Sequence, residues 1–190
     1  GRLKEIGDAS VRDIVQGTFS EFRIEVNEAL TYRSLFQLME ITSSAAKLES
    51  DYYSISPFML ELYGIVNKKN NLRNKHRYYY LSILNLLAIT QFRNKKFDAS
   101  MKFAKEMELE IQNGESAYRK RFLEKLTILK ALNYNYTGQH QKAIGLLMAF
   151  KNDSLDVKLL ITMCLFQQND FSEAYRIIKK LNHSDTWYEK

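Results

Sequence analysis

Residues that interrupt helices are scarce in this chain. Its 190 residues include one proline and seven glycines, which leaves long intervals without a helix breaker. A β-sandwich or a β-barrel needs turn residues roughly every 8–12 positions, and the sequence does not supply them. The scarcity argues against those folds and predicts long helices, so we expect an all-α protein.

Cysteine is almost absent, since Cys164 is the only one. One cysteine forms no disulfide within the chain, and a zinc site needs about four ligands at close spacing. Cys164 lies in the apolar run LLITMCLF, and neither His140 nor His183 belongs to a recognisable nucleophile motif. We therefore predict a buried structural thiol in a reducing, cytoplasmic setting.

Sequence signals for catalysis and for membrane insertion are missing as well. No stretch reaches the 18 or so apolar residues of a membrane span, and residues 1–15 mix charges with apolar positions, unlike a signal peptide. There is no glycine-rich phosphate loop and no histidine spacing typical of a metal site. Glu106, Glu108 and Glu110 alternate along a predicted helix, so we expect them not to share a face. We predict no enzymatic activity, no cofactor and no metal, although carboxylates from distant helices could still converge.

The net charge of +6 permits an acidic partner without requiring one. One stretch concentrates the basic side chains, and three tyrosines, Tyr78 to Tyr80, follow it. Its members are Lys68, Lys69, Arg73, Lys75, His76 and Arg77. Cations meet phosphates and aromatic rings stack on bases, so this stretch is a candidate nucleic-acid contact. The other interpretation is a solvated interhelical loop whose tyrosines begin a helix and pack on the core.

The first part of the chain, residues 1–77, is predicted to be a helical region. Apolar residues recur at steps of three to five over about residues 8–48, which indicates a long amphipathic helix separated from a short first one at Gly17-Thr18. Ser56 and Pro57 predict the next helix start, and that helix should end near Asn67. Residues 78–190 read as a second region that continues the same solenoid, and the final DTWYEK resembles the opening of a further helix, as in a fragment of a longer protein.

Three helical hairpins can be aligned by their central turns, RNKKFDAS, TGQHQKAI and QNDFSEAY, which lie 43 and 31 residues apart. Phe97, His140 and Phe171 follow the turns, and a small residue comes three positions later. The small residues are Ser100, Ala143 and Ala174 after the turns, and Ala88, Ala131 and Thr162 before them. Two helices that cross closely need small side chains at the crossing, and hairpins of this kind stack because one hairpin cannot bury its own apolar face.

This pattern resembles the tetratricopeptide repeat. ALNYNYTGQHQKAIGLL is most similar to it through Ala131, Tyr134, Gly138, Ala143 and Leu147, and LITMCLFQQNDFSEAYRII is similar through Phe171, Ala174 and Ile178. The resemblance covers about residues 78–182 and implies antiparallel hairpins stacked as a short right-handed superhelix. The run LNHSDTWYEK is also similar to uncharacterised helical-repeat proteins of Bacteroidetes, which implies a bacterial lineage but indicates nothing about activity.

The resemblance implies a concave groove, lined by the first helix of each hairpin, that binds a peptide or a helix of another protein. The implied groove residues are Asn85, Ile89, Phe92, Lys125, Ile128, Leu132, Asn135, Tyr136, Met163 and Phe166. Only Asn85 and Lys125 match the family's clamp for a terminal carboxylate, so we expect an apolar groove without that clamp. A partner protein fills it, or the protein's own helices cover it, and the sequence leaves both open. His140, at a position where the family prefers an aromatic residue, is predicted to be a packing residue.

Overall fold

The computed structural model describes residues 29–113, 118–150 and 154–184. These residues form eight α-helices and a short 3₁₀ turn, with no strand among them, so the all-α prediction is confirmed for this part of the chain. The helices are α1 (Tyr32–Glu49), α2 (Tyr52–Lys68), α3 (Arg77–Arg93), α4 (Phe97–Gln112), α5 (Arg119–Tyr136), α6 (His140–Ala149), α7 (Leu155–Gln167) and α8 (Phe171–Ser184). The 3₁₀ turn, Asn70–Leu72, lies between α2 and α3.

The chain divides into two compact units, with the boundary after Arg119 at the start of α5. In unit 1, which ends at Arg119, α3 packs against α1, α2 and α4. In unit 2, which begins at Lys120, α7 packs against α6 and α8. The boundary predicted between residues 77 and 78 lies inside unit 1. Successive helices pack on each other in each unit, as in a helical repeat, and the right-handed superhelix stays a prediction.

The three predicted central turns share one backbone geometry. In each turn, the residue two positions before the second helix has a left-handed conformation: Lys95 (φ 58°), Gly138 (φ 76°) and Asn169 (φ 63°). Its N–H group donates to a carbonyl three residues back, and the next N–H group donates to a carbonyl five residues back. The longer bonds are Lys96 to Gln91, Gln139 to Tyr134 and Asp170 to Leu165, at 2.9, 2.8 and 2.9 Å. This pair of bonds is the Schellman motif, so the alignment of the hairpins by their turns holds in the backbone.

Small residues lie where the paired helices approach each other. The Ser100 hydroxyl of α4 donates to the Ala88 carbonyl of α3 at 2.9 Å, which requires the two backbones to be close. In unit 2, Ala131 of α5 and Ala143 of α6 are completely buried in one apolar cluster that also contains Ala174 of α8. Five of the six small positions predicted from the sequence therefore belong to helix contacts, whereas the hydroxyl of the sixth, Thr162, donates to the Lys158 carbonyl of its own helix.

Helix α1 starts later than the sequence predicted. Thr31 is its N-cap, and Thr31 Oγ1 accepts a hydrogen bond from the Ser34 N–H group at 3.1 Å. Residues 29–31 are not helical, so they do not belong to the helix predicted from residue 18 to residue 48. The apolar periodicity correctly predicted α1 itself. It did not predict the N-cap, because a capping residue leaves the spacing of the apolar residues unchanged.

Helix α2 starts earlier than predicted. Asp51 is its N-cap and accepts a hydrogen bond from the Ser54 N–H group at 3.1 Å. Ser56 is buried instead, and its hydroxyl accepts a hydrogen bond from Gln91 Nε2 of α3 at 2.9 Å. The prediction that Ser56 caps the helix and Pro57 begins it is therefore wrong, because a cap one turn earlier includes Pro57 in the helix.

Several predicted features fall outside the described residues. They are the short first helix with its break at residues 17–18, most of the two further turns that the sequence predicts at QNGES (residues 112–116) and KNDS (residues 151–154), and the run at residues 185–190. Within the described ranges, no helix combines the length and the apolar character needed to cross a bilayer.

Two glycine-to-alanine substitutions in unit 2 should change its stability in opposite directions. An added Cβ meets no atom within 4 Å at Gly138 or at Gly145, so only the backbone conformation differs. Gly138→Ala forces alanine into the left-handed region and should lower the free energy of unfolding by about 1–2 kcal/mol. Gly145→Ala, inside helix α6, should raise it by about 0.5–1 kcal/mol.

The measurement is urea unfolding followed by far-ultraviolet circular dichroism on both variants and the wild type. Equal changes in the free energy of unfolding of the two variants, in the same direction, would contradict the left-handed turn at Gly138.

Candidate functional sites

Helix α7 is apolar on nearly every side, since Asp156 and Lys158 are its only charged residues. One face is buried in the core of unit 2 through Val157, Leu160, Ile161, Cys164 and Leu165. On the other side, Leu155, Leu159 and Phe166 are 47%, 49% and 62% exposed, and Met163 is half-buried. These four residues recur at steps of four, four and three, so they form one line along the helix, called here the α7 strip.

The α7 strip continues to the first residue of α8. The rings of Phe166 and Phe171 lie 5.0 Å apart, edge to face, and Phe171 is itself half exposed. Sequence reasoning had named Met163 and Phe166 as groove residues but had not included Leu155 and Phe171. The spacing of Leu155, four positions before Leu159, is the sequence signal that could have indicated it, whereas only the fold places Phe171 beside Phe166.

The predicted groove residues of α5 divide into buried and accessible ones. Ile128 and Leu132 are half-buried and pack against the same core cluster as Met163 of α7. Tyr136 is 57% exposed at the end of the helix. The structure therefore brings Ile128, Leu132 and Met163 to one apolar cluster, with Tyr136 open to solvent.

The polar groove residues of α5 are engaged within the unit. The Lys125 ammonium lies 5.8 Å from the centre of the Phe122 ring. Asn135 is 2% exposed, and its Oδ1 lies 2.7 Å from His140 Nδ1. His140 is half-buried in this contact, in agreement with its prediction as a packing residue. Asn135 thus positions His140 and is out of reach of a partner in this conformation.

The predicted groove residues of α3 lie in unit 1 and are largely covered. Asn85 is 7% exposed, and Ile89 and Phe92 are half-buried. The Phe92 ring contacts the Phe97 ring at 5.8 Å between centroids. Because three helices of unit 1 pack around α3, little of this part of the predicted groove is accessible to a partner.

Cys164 is a buried free thiol, as predicted. Burial raises its pKa to about 11. A thiol with such a raised pKa forms little thiolate at neutral pH, so it is a poor nucleophile and a poor metal ligand. Cys164 therefore belongs to the core of unit 2.

Two arginines of the basic stretch are bound by one glutamate of α4. Arg73 Nη1 lies 3.1 Å from Glu110 Oε1, and Arg77 Nε lies 3.7 Å from Glu110 Oε2. The Arg73 guanidinium also lies over the Tyr80 ring, 4.3 Å from its centre. Arg73 and Arg77 therefore hold the segment between α2 and α3 against α4. Lys68 and Lys75 are exposed, and Lys69 is half-buried at the C-cap of α2.

Glu106, one turn before Glu110, receives two tyrosine hydroxyls. Tyr63 of α2 donates to its carboxylate at 2.8 and 2.9 Å, and Tyr80 of α3 donates to the same group. Glu106 and Glu110 are four positions apart and share one face of α4. The prediction that the alternating glutamates share no face is therefore wrong for this pair and holds only for Glu108.

A cleft of about 850 Å³ lies at the start of α3. The described residues that line it are Asn74, Lys75, His76, Arg77, Tyr78, Tyr79, Asn113 and Tyr118, and it is called here the α3 cleft. Three of its residues belong to the predicted basic stretch, and two are the predicted tyrosines. Tyr80, the third tyrosine, is fully buried and belongs to the core. Tyr118 was not anticipated, because only the fold brings it beside Tyr78.

No family model, curated protein or solved structure that was compared matches this chain. Within the described residues, no group of three or more histidine, cysteine, aspartate or glutamate side chains could hold a metal ion. The geometry of the α7 strip and of the α3 cleft is therefore the basis for inferring function.

The hydroxyls on Glu106 predict how stability depends on pH. Burial, and next the hydrogen bond to Glu106, raise the pKa of Tyr63 and of Tyr80 above the ordinary value of 10.0. The unfolded chain therefore loses these protons at lower pH than the folded protein. Their contribution to stability is fully present below about pH 10 and is lost as pH rises further, by up to about 1.4 kcal/mol per pH unit for each tyrosine.

We expect Tyr80→Phe to flatten this alkaline decline, measured by urea unfolding between about pH 8 and 11.5. Tyr53→Phe, at a residue 76% exposed, is the control and should keep the wild-type slope. Equal slopes in all three proteins would show that the Glu106 network has no influence on alkaline stability.

Proposed function

We propose that this chain is a cytoplasmic protein–protein interaction scaffold of the tetratricopeptide-like kind, without catalytic activity, and that unit 2 binds an apolar face of another protein. The observation that carries the proposal is the α7 strip, a line of exposed large apolar side chains on a helix whose opposite face is already buried. A helix that is apolar on all sides is normally buried on all sides, so we expect the exposed side of α7 to be buried against a partner.

The energetics of covering the strip favour binding. Complete burial of one leucine or phenylalanine side chain contributes roughly 1.5–3 kcal/mol. Leu155, Leu159 and Phe166, each about half exposed, together with Phe171, therefore offer several kcal/mol before the cost of association is subtracted. Aromatic side chains are frequent among the residues that dominate binding, and Phe166, Phe171 and Tyr136 are of this type.

The shape and the charge of unit 2 indicate the kind of partner. The strip runs straight along α7 over about 16 Å, which matches the apolar line presented by three turns of a partner helix. Residues 120–190 carry eleven lysines and arginines and seven aspartates and glutamates. We therefore propose an amphipathic helix with acidic residues beside its apolar face.

The proposal is tested with the double variant Leu159→Glu, Phe166→Glu. Two carboxylates in the strip would have to be desolvated in the complex, so the variant should lose a strip-bound partner by at least about 100-fold in affinity. Gln167→Glu, an exposed residue on the same helix, adds a carboxylate outside the strip and is the matched control. Circular dichroism establishes that all proteins are folded.

A photo-crosslinking amino acid replaces Leu159 in one sample and exposed Lys142 in another, and both are irradiated in cell lysate. The proposal expects a partner crosslinked from position 159 only. That partner should then bind purified wild type and Gln167→Glu, and should fail to bind the double variant. Equal binding by the double variant and the wild type would refute the assignment of the strip.

A further inference from the structure

We propose that the α3 cleft of unit 1 binds a nucleotide. The cations of the cleft hold the phosphate, and the tyrosines of the cleft stack on the base. This site lies in a different unit from the α7 strip, so the inference does not depend on the proposed protein partner. The charge, the aromatic content and the size of the cleft all fit a nucleotide.

The charge of the surrounding chain favours an anion. Residues 68–77, which lead into the cleft, contain five lysines and arginines and no aspartate or glutamate. Among the described residues, the cleft lining includes Lys75, His76 and Arg77 and no acidic side chain. Glu110 is the carboxylate that approaches from α4, and it is already shared between Arg73 and Arg77. A phosphate entering the cleft thus meets a net positive charge.

The cations of the cleft have two different characters. Arg77 is fixed, because Nη2 donates to Asn74 Oδ1 at 2.8 Å and Nη1 donates to the Asn113 carbonyl at 3.2 Å. Lys75 is exposed beside it. A fixed guanidinium shapes the wall, whereas a flexible ammonium can follow a phosphate as a point charge. We therefore assign the direct phosphate contact to Lys75.

The aromatic side chains provide a stacking surface. Tyr78 contacts Tyr79 and Tyr118, with ring centroids 5.6 and 5.2 Å apart. Tyr79 is supported from behind by Phe36 of α1, at 5.8 Å. Tyr118 remains 47% exposed. Rings fixed by their neighbours lose little freedom when a base stacks on them, and stacking accepts any base.

The size of the cleft agrees with such a ligand. Its volume of about 850 Å³ falls within the roughly 300–1,000 Å³ typical of small-ligand sites. An inorganic anion alone would occupy a small part of it and would leave the tyrosines unused. The same chemistry can come from a free nucleotide or from one residue of a single strand, and the experiment separates these sources.

Binding is measured with adenosine monophosphate by calorimetry, and with a fluorescein-labelled single-stranded oligonucleotide of about 12 residues by anisotropy. The full chain is used as wild type, Lys75→Ala and Tyr118→Ala. Lys47→Ala and Tyr53→Ala, at exposed residues outside the cleft, are the matched controls. Inorganic phosphate serves as a ligand without a base.

We expect each cleft variant to lose about tenfold in affinity, and each control to stay within about twofold of wild type. Affinity for the oligonucleotide should fall steeply between roughly 50 and 200 mM salt, and Lys75→Ala should reduce the salt slope by about one. Binding of the mononucleotide assigns the cleft to a free nucleotide, and binding of the oligonucleotide alone assigns it to a strand.

Three results would overturn the inference: no binding of either ligand at low salt, equal losses in the controls, or phosphate binding as tightly as the nucleotide with no effect of Tyr118→Ala. Lys75 is exposed, so its variant remains informative even where Tyr118→Ala perturbs the fold. The Leu159→Glu, Phe166→Glu variant should bind nucleotide like wild type, which separates this result from any result on the α7 strip.

Discussion

The structure of each hairpin depends on one backbone constraint, the left-handed residue that ends its first helix. This residue and its two hydrogen bonds fix the point at which the second helix begins. Five positions after it comes a small buried residue: Ser100 after Lys95, Ala143 after Gly138, and Ala174 after Asn169. The turn therefore sets which side of the second helix meets the first, and small side chains at that side permit close packing. Only Gly138 meets this backbone demand without the steric cost that a Cβ adds.

Unit 1 adds a second constraint, which is polar. The segment between α2 and α3 is rich in lysine, arginine and asparagine, so it has few apolar side chains whose burial would hold it against the protein. Glu110 binds Arg73 from that segment and Arg77 at the first position of α3, while Glu106 accepts hydrogen bonds from Tyr63 and Tyr80 on the helices at either side. Buried polar groups are tolerated when they are paired in this way, and the pairing then specifies one arrangement. The α3 cleft takes its form from this arrangement, since Arg77 forms part of its wall.

The sequence predicted much of the fold because its signals are local. Apolar periodicity and turn residues reveal helices, and each of the three turns aligned in the sequence separates two helices of the structure. The starts of α1 and α2 were missed because Thr31 and Asp51 are polar residues whose capping role depends on backbone geometry. The contacts of Glu106 and Glu110 were missed for another reason. Their partners lie 26 to 43 positions away in sequence, and no local pattern encodes a contact at that distance. The exposure of Asn85, Asn135 and Leu155 likewise depends on which neighbours the fold provides.

The two candidate sites differ in how much of their chemistry the fold requires. Unit 2 needs Val157, Leu160, Ile161 and Cys164 to be apolar, because they fill its core. The core of unit 2 does not require apolar side chains at Leu155, Leu159 and Phe166, where polar side chains would maintain the helix and improve solubility. Large apolar residues at half-exposed positions are an aggregation hazard that folding does not require, and the proposed partner would cover them. The same distinction applies in unit 1. The charges of Arg73 and Arg77 are used by the fold through Glu110, whereas the exposed ammonium of Lys75 beside three tyrosines is available to a ligand.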